Sequence, residues 1–425
     1  MSMLTLRQVP IRPAMRRVDW QSPSTVPRLW VILTFTGFAG YAVAMSLMST
    51  NELHRLWGVF AACSYLLAAM AVLAWKSRGT DLALVISLAG ALVVPLSLMA
   101  VHRMRQPEVG VINQSASLLV HHGTPYLGPA ALAAAHTPNI FDPYLPLMTM
   151  FGLPRAVLGF AAVTDPRIWF GVGFVVLFAA ALGVAGVRDV TRWTIALTAS
   201  PIVAFSLTVG GTDLPVLACQ CLGLALLWRR PHPVLAGLTL GAAAAMKATA
   251  WPALLVAIVL VATRNGRRDA GILTGVALAV VAVIVGPVAI IEPRALVQNT
   301  IAFPLGLASI KSAAVSPLPG RLLAETGRIG RLIAVALLGL AGLSMIVSLG
   351  IRPPRTVPAA TWRLMIGLSL MFVLAPATRF GYFVYPVGLL AWLAISQVSW
   401  SARRGLTRGG PAVAQFDASQ PTAGV

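Results

Sequence analysis

Apolar residues along this chain gather in long runs, separated by short gaps rich in Arg, Pro and Gly. A helix that crosses the hydrocarbon core of a bilayer needs about 20 apolar residues and must satisfy its own backbone N–H and C=O groups. Twelve runs approach that length: Leu29–Met48, Leu56–Trp75, Leu82–Val101, Ile168–Val187, Trp193–Val209, Leu214–Trp228, Val234–Met246, Ala248–Thr263, Ala270–Ile291, Ile329–Leu349, Trp362–Leu374 and Tyr382–Val398. Several are short. The two that flank Lys247 read as one long element broken at Trp251-Pro252, because Pro removes a backbone donor and clashes with the preceding turn. The pattern predicts an all-α integral membrane protein of about twelve transmembrane helices.

The gaps carry a second signal, since cytoplasmic loops are enriched in Lys and Arg. With the N-terminus in the cytoplasm, alternate gaps hold Lys76/Arg78, Arg188/Arg192, Arg229/Arg230, Arg264/Arg267/Arg268, Arg352/Arg355/Arg363 and Arg403/Arg404/Arg408. Together with Arg7, Arg12, Arg16, Arg17 and Arg28 they carry 20 of the 32 cations. Both termini are then cytoplasmic. The expected organisation is a basic cytoplasmic N-terminus (1–28), three transmembrane helices (29–101) and an outer loop carrying a candidate catalytic acid (102–167). The remaining transmembrane helices (168–398) follow, interrupted by a second outer loop (292–328), and the chain ends in a disordered cytoplasmic tail (399–425). No cleavable signal peptide is read, so the first span should direct insertion. Seven of the twelve acids fall on the outer face. Long loops inside a compact protein are usually functional, so chemistry is expected on that face.

Composition narrows the class. Of 425 residues, 58% are hydrophobic and only 10% charged, and the mean hydropathy is +0.82. So few charges could not solvate the surface of a soluble enzyme, and they also exclude a disordered chain. The net charge of +20 comes mostly from Arg, since Lys stands only at Lys76, Lys247 and Lys311. These cations sit in gaps between apolar runs, as orientation signals do, and no nucleic-acid partner is expected. Cys63, Cys219 and Cys221 lie in apolar runs without matching His or Cys ligands, so no metal site is expected.

Within the first outer loop, Val111, Ser115, Leu118 and Leu119 recur at helical spacing, which predicts an amphipathic helix on the outer membrane surface, stopped at Gly123. Glu108 sits at its N-terminal end, where the helix dipole favours a carboxylate. It is either a helix-end charge or a general base facing a lipid-borne substrate. Adjacent residues on a helix diverge by about 100°, so His121 and His122 do not chelate one ion together. Asp142, in Phe141-Asp142-Pro143, is either a turn cap or a second acid. Asp213 reads first as an N-cap. Lys247 within an apolar stretch is expensive and functional by default. Arg379 lies beside Tyr382 and Tyr385 and is either a phosphate ligand or an interface anchor. The segment from Gln298 through Pro319 is a candidate lid, with no chemistry assigned.

Glu108 after an outer helix end, the surface helix, then Gly123-Thr124-Pro125-Tyr126 and Asp142-Pro143-Tyr144 resemble the first outer loop of polyprenyl-phosphate-sugar-dependent glycosyltransferases of the GT-C fold. They are most similar to the mannosyltransferase-like family 87 of actinobacteria. Gly237-x-x-x-Gly241 running to Lys247 and Trp251-Pro252 resembles that family's Gly-rich helix, and Ala375-Pro376 through Tyr385-Pro386 its late Pro/Arg/Tyr element. The chain departs from the family pattern in two ways. Glu108 stands where Asp is usual, and it follows the third apolar run rather than the first, so that Leu29–Met48 and Leu56–Trp75 form an added hairpin. Glu52 is the acid that follows the first run, but it lacks the Gly-x-Pro-Tyr sequel.

The resemblance implies a GT-C-like enzyme in a bacterial plasma membrane, with its active site extracytoplasmic. It would be a hexosyltransferase that moves a sugar, mannose being typical, with inversion. The donor would be a polyprenyl-phosphate sugar and the acceptor a cell-envelope glycolipid or glycan, among membrane lipids and with no cofactor. Glu108 would be the base; Arg379, Lys247 and Tyr382 would hold the donor phosphate; and His121, His122, Tyr126, Asp142 and Tyr144 are possible acceptor-site residues. Two rivals remain at this level: a flippase or transporter of a lipid-linked saccharide, and a non-catalytic membrane scaffold.

Overall fold

The computed structural model describes residues 27–408 except Ala135, Ser309 and Lys311, and of residues 399–408 only the helical backbone. The expectations for the first 26 residues and for the tail beyond 408 fall outside the described residues. The longer helices are α1 (Arg28–Met48), α2 (Glu52–Ala74) and α3 (Gly79–Val101), α4 (Pro107–His122), α5 (Pro166–Ala185), α6 (Val190–Thr198), α7 (Pro201–Val209) and α8 (Asp213–Leu226). They continue with α9 (Pro233–Met246), α10 (Trp251–Arg264), α11 (Arg267–Ile291), α12 (Arg328–Ile351), α13 (Val357–Leu374) and α14 (Val384–Arg408).

Each of the expected apolar runs falls on helical structure, Trp193–Val209 on the bent pair α6 and α7, but they are not twelve alike. Among the described residues eight helices are long and apolar enough to cross a membrane, and nine if the bent pair α6 and α7 is one span. Three more, α8, α9 and α10, are apolar but shorter. The difference has a packing cause. Every residue of α8 except Leu222 is buried, so this helix meets protein on all sides and needs no full bilayer length. It packs chiefly on α5 and α9.

Breaks in the helices follow from sequence. Pro95 has no N–H to give the Ala91 carbonyl, α3 widens into a π turn over Ala89–Val93, and the Trp57 indole donates to Ala91 O instead (2.8 Å). Pro201 ends α6 in the same way. The chain bends by 61° into α7, and the Tyr65 hydroxyl donates to the Ala199 carbonyl (2.7 Å). The expected break at Trp251-Pro252 falls earlier, at Lys247, whose backbone is extended. Pro252 lies in the first turn of α10, where a missing donor costs nothing.

Close approach explains the Gly237/Gly241 pair. A Cβ at Gly237 would lie 2.7 Å from the Leu273 carbonyl, and one at Gly241 2.8 Å from that of Ala277. Both glycines let α9 touch the backbone of α11, a small-residue contact of the membrane-helix kind.

The two long loops, 102–167 and 292–328, meet. The Asp142 backbone N–H donates to Asn299 Oδ1 (2.7 Å), and the Phe141 and Phe303 rings stack at 4.6 Å. An isolated parallel bridge joins Val315 to Thr378, so the second loop also holds the segment that carries Arg379.

Candidate functional site

The site is assembled where α3, α7 and α13 hand over to the next element. Gln106 is the N-cap of α4, and its backbone N–H donates to Val209 O at the end of α7 (3.0 Å). Pro107 opens the helix and Glu108 lies in its first turn, as the sequence predicts. Gly123, with φ 75°, ends it. The buried face is Val109, Val111, Ile112, Ser115 and Ala116, while Leu118 and Leu119 are half-buried.

Glu108 Oε2 accepts from Arg379 Nη1 at 2.5 Å. The space that the carboxylate needs is supplied by Gly210, where a Cβ would sit 1.9 Å from Glu108 Oε1. Arg379 is presented by an extended residue just after Thr378, with the Phe380 N–H held by the Ser316 hydroxyl (3.0 Å). Beside this pair lies a second one, in which Lys247 Nζ donates to Asp213 Oδ1. Asp213 also accepts from the Tyr385 hydroxyl (2.8 Å), which in turn receives the Thr249 hydroxyl (3.1 Å). Lys247 Nζ stands 5.2 Å from the centre of the Tyr144 ring and 5.0 Å from that of Tyr382, within cation–π range. Tyr382, Tyr144 and Asp213 lie within Coulombic reach of Arg379, and Glu108 within that of Lys247.

Two carboxylates and two cations thus form one neutral cluster. Its pairs differ in access. The Arg379 and Glu108 side chains keep 29% and 17% exposure, against 10% and 11% for Lys247 and Asp213. The outer pair is therefore the one a substrate meets first. Two hollows, of about 450 and 270 Å³, lie elsewhere, around residues 81–85 with 188–195 and around residues 30–38 with 192–199.

Among the residues singled out from sequence, Glu108, Arg379, Lys247, Tyr382 and Tyr144 come together. Tyr144 hydrogen-bonds Thr212 through its hydroxyl (3.3 Å). Tyr126 is buried and donates to the Tyr144 carbonyl (2.6 Å), so it holds the loop. Asp142 accepts from the Tyr144 N–H (3.0 Å) and is the turn cap of its two readings. Burial pushes its carboxyl up to about 7, against the pull of the Tyr144 amide and the Ser115 hydroxyl. His121 and His122 are exposed at the far end of α4, about 20 Å from Glu108 at 1.5 Å per residue, and are not brought to the cluster. Among the described residues no group of three His, Cys, Asp or Glu side chains is placed to hold a metal ion.

Sequence reasoning missed several partners. Thr212, not Asp213, is the N-cap of α8, which leaves the Asp213 carboxylate for Lys247. The run Gly210-Gly211-Thr212-Asp213 before the most buried helix was the available signal. Tyr385 lay inside a quoted motif without a role. Gln106 and His54 were silent in sequence. The Gln106 amide donates to His54 Nε2 (2.8 Å), while His54 Nδ1 faces the Ser49 hydroxyl (3.1 Å). The α1–α2 hairpin therefore buttresses the start of α4.

A family model described as glycosyltransferase family 87 matches residues 143–376, more than half of the chain. The chain belongs to glycosyltransferase family 87. The matched region of this family member contains Tyr144, Asp213 and Lys247, while Glu108 and Arg379 lie on either side of it. With its apolar helices, the chain is a multi-pass membrane member of that family. Among solved structures, the crystal structure of ArnT from Cupriavidus metallidurans in the apo state is similar, at 16% identity and a TM-score of 0.47, over 78% of this chain and 62% of that one. The chain thus spans less than two thirds of that protein. No curated protein sequence matches it.

Proposed function

We propose that this glycosyltransferase moves a sugar, mannose by resemblance, from polyprenyl phosphate to a hydroxyl of a cell-envelope glycolipid or glycan on the extracytoplasmic face. The observation that carries the reading is the half-open Glu108–Arg379 pair set beside the buried Lys247–Asp213 pair. A polyprenyl-phosphate sugar is a phosphodiester with one negative charge. When the acceptor oxygen attacks the anomeric carbon, the bond from that carbon to the phosphate oxygen breaks, and the leaving phosphate keeps the electron pair and a second negative charge. Cations placed to meet that second charge stabilise the transition state more than the ground state.

Arg379 suits this role because its guanidinium fork can pass from the Glu108 carboxylate to phosphate oxygens. Donor binding would part the outer pair and free Glu108 to take the acceptor proton, as a general base must. Lys247 is held toward Tyr382 by Asp213 and Tyr385, adding positive charge without a free carboxylate of its own. Glu is one methylene longer than the family's usual Asp, and Gly210 leaves that longer side chain room.

The test is incubation of purified protein with labelled polyprenyl-phosphate sugars and envelope lipid extract, with product analysis. Wild type should yield a labelled glycolipid or glycan, and Glu108→Gln should remain folded yet lose about 100-fold or more in turnover. Full activity in that variant would remove Glu108 from the chemistry.

A further inference from the structure

The first turn of α3 and the start of α6 enclose a crevice of about 450 Å³ that includes Asp81, Arg188 and Arg192. It adjoins an apolar cleft of about 270 Å³ walled by Trp30, Phe35 and Phe38 of α1 and Trp193 of α6. Leu84 and Arg192 border both hollows, so the two lie side by side. The location is far from the charged cluster. The far end of α3 leads toward Glu108, and its 23 residues separate the two places by about 35 Å at 1.5 Å per residue. The Lys/Arg distribution puts the crevice end in the cytoplasmic leaflet.

The mouth is charged in a particular way. Arg188 is exposed and makes no side-chain hydrogen bond or ion pair among the described residues. Arg192 lies 3.4 Å from Asp81, whose side chain is 67% exposed, and such surface pairs are weak. The gap before α3 adds exposed Lys76 and Arg78, and Asp189 is the other carboxylate. The lining itself holds two cations, Arg188 and Arg192, and two acids, Asp81 and Asp189, and the excess of positive charge comes from Lys76 and Arg78 in the gap beside it, while the cleft below is aromatic and aliphatic. An aqueous cationic rim above an apolar slot matches the two ends of an anionic amphiphile.

We propose that this composite crevice binds an anionic phospholipid of the adjoining leaflet, with its phosphate on Arg188 and Arg192 and one acyl chain between α1 and α6. Basic pockets between membrane helices on the cytoplasmic side recognise lipid phosphates in this way. Arg192 has enough donors to keep Asp81 and reach a phosphate oxygen together. The bound lipid ties the α1–α2 hairpin to α6. The inference is independent of the transfer reaction and goes beyond it.

The test uses the full-length chain in phosphatidylcholine nanodiscs titrated with phosphatidylglycerol, with bound lipid read by native mass spectrometry. Wild type should retain phosphatidylglycerol over phosphatidylcholine by about tenfold. Arg188→Gln, which has no partner to lose, should weaken that preference, and Arg188→Gln with Arg192→Gln should abolish it. Ala196→Trp, which fills the cleft and leaves every charge in place, should lower phosphatidylglycerol retention as well. Equal retention of the two lipids by wild type would overturn the proposal. So would unchanged retention in the Arg188 and Ala196 variants, or full competition by glycerol phosphate, which lacks acyl chains.

Discussion

At the residue scale, the decisive feature is that each carboxylate of the site has its own cation. Glu108 has Arg379, and Asp213 has Lys247 with the Tyr385 hydroxyl added. The two acids are therefore separable by mutation. Asp213→Asn removes the carboxylate that positions Lys247 and should misplace that cation, raising KM for the polyprenyl-phosphate sugar more than it lowers kcat. Glu108→Gln should lower kcat with KM little changed, and steady-state kinetics on the two variants distinguish the roles. Gly210→Ala is a sharper probe. Its Cβ would occupy the place of Glu108 Oε1, and a displacement of about 1 Å in a catalytic group costs roughly 100-fold in rate. Turnover should fall by that order without a matching loss of thermal stability. Stability falling in step with turnover would mean that Gly210 serves the fold instead.

At the element scale, the site depends on helix ends fixed by buried polar contacts. Arg167 is fully buried at the start of α5. It pairs with Asp165 (2.9 Å) and donates to the Thr208 carbonyl near the end of α7 (2.6 Å). Burial alone would push the Asp165 carboxyl up, but the Arg167 hydrogen bonds and charge outweigh it and hold it below the ordinary range. Arg167→Met leaves a buried carboxylate with the residue 167 amide (3.0 Å) and, as its one remaining ion-pair partner among the described residues, Arg155 at 3.7 Å, and losses of this type run to about 3–5 kcal/mol. Adding Asp165→Asn should restore most of that loss in thermal melts. The α9–α11 contact behaves differently. Gly241→Leu forces a side chain against the Ala277 backbone, which should cost about 1–3 kcal/mol or more through overpacking.

At the scale of the whole molecule, the two long loops are tied together because the Asp142 backbone N–H donates to Asn299. Asp142 titrates at about 7 in the fold, against about 3.9 in an unfolded chain. The folded form therefore binds this proton more tightly. Its contribution to stability is complete below about pH 4 and is lost as pH rises through about 7. Asp142→Asn keeps the oxygen that accepts the Tyr144 amide and removes the titration. Its melting temperature should be flatter between pH 5 and pH 8 than that of wild type. An unchanged pH profile would place the titrating group elsewhere.

The sequence by itself determined the helical segments, a helix over Val109–Val120 with its Gly123 stop, and the residue types of the cluster. These follow from local rules: an apolar run in lipid must form a helix, and Pro and Gly punctuate it. Glu108, Arg379, Lys247 and Tyr382 were legible because ionisable or aromatic groups beside apolar runs and at helix ends stand out, whereas Tyr144 was legible only through the family resemblance. Tertiary structure alone decided which charge faces which. Lys247 pairs with Asp213 rather than with Glu108, Asp142 holds a turn, and His54 reaches Gln106 across 52 positions. It also decided that α8, which reads as a short span, is a helix enclosed by protein. Pairing between distant segments depends on how helices pack, and packing is set by close contacts such as Gly210 against Glu108 and Gly241 against Ala277, which no local pattern encodes.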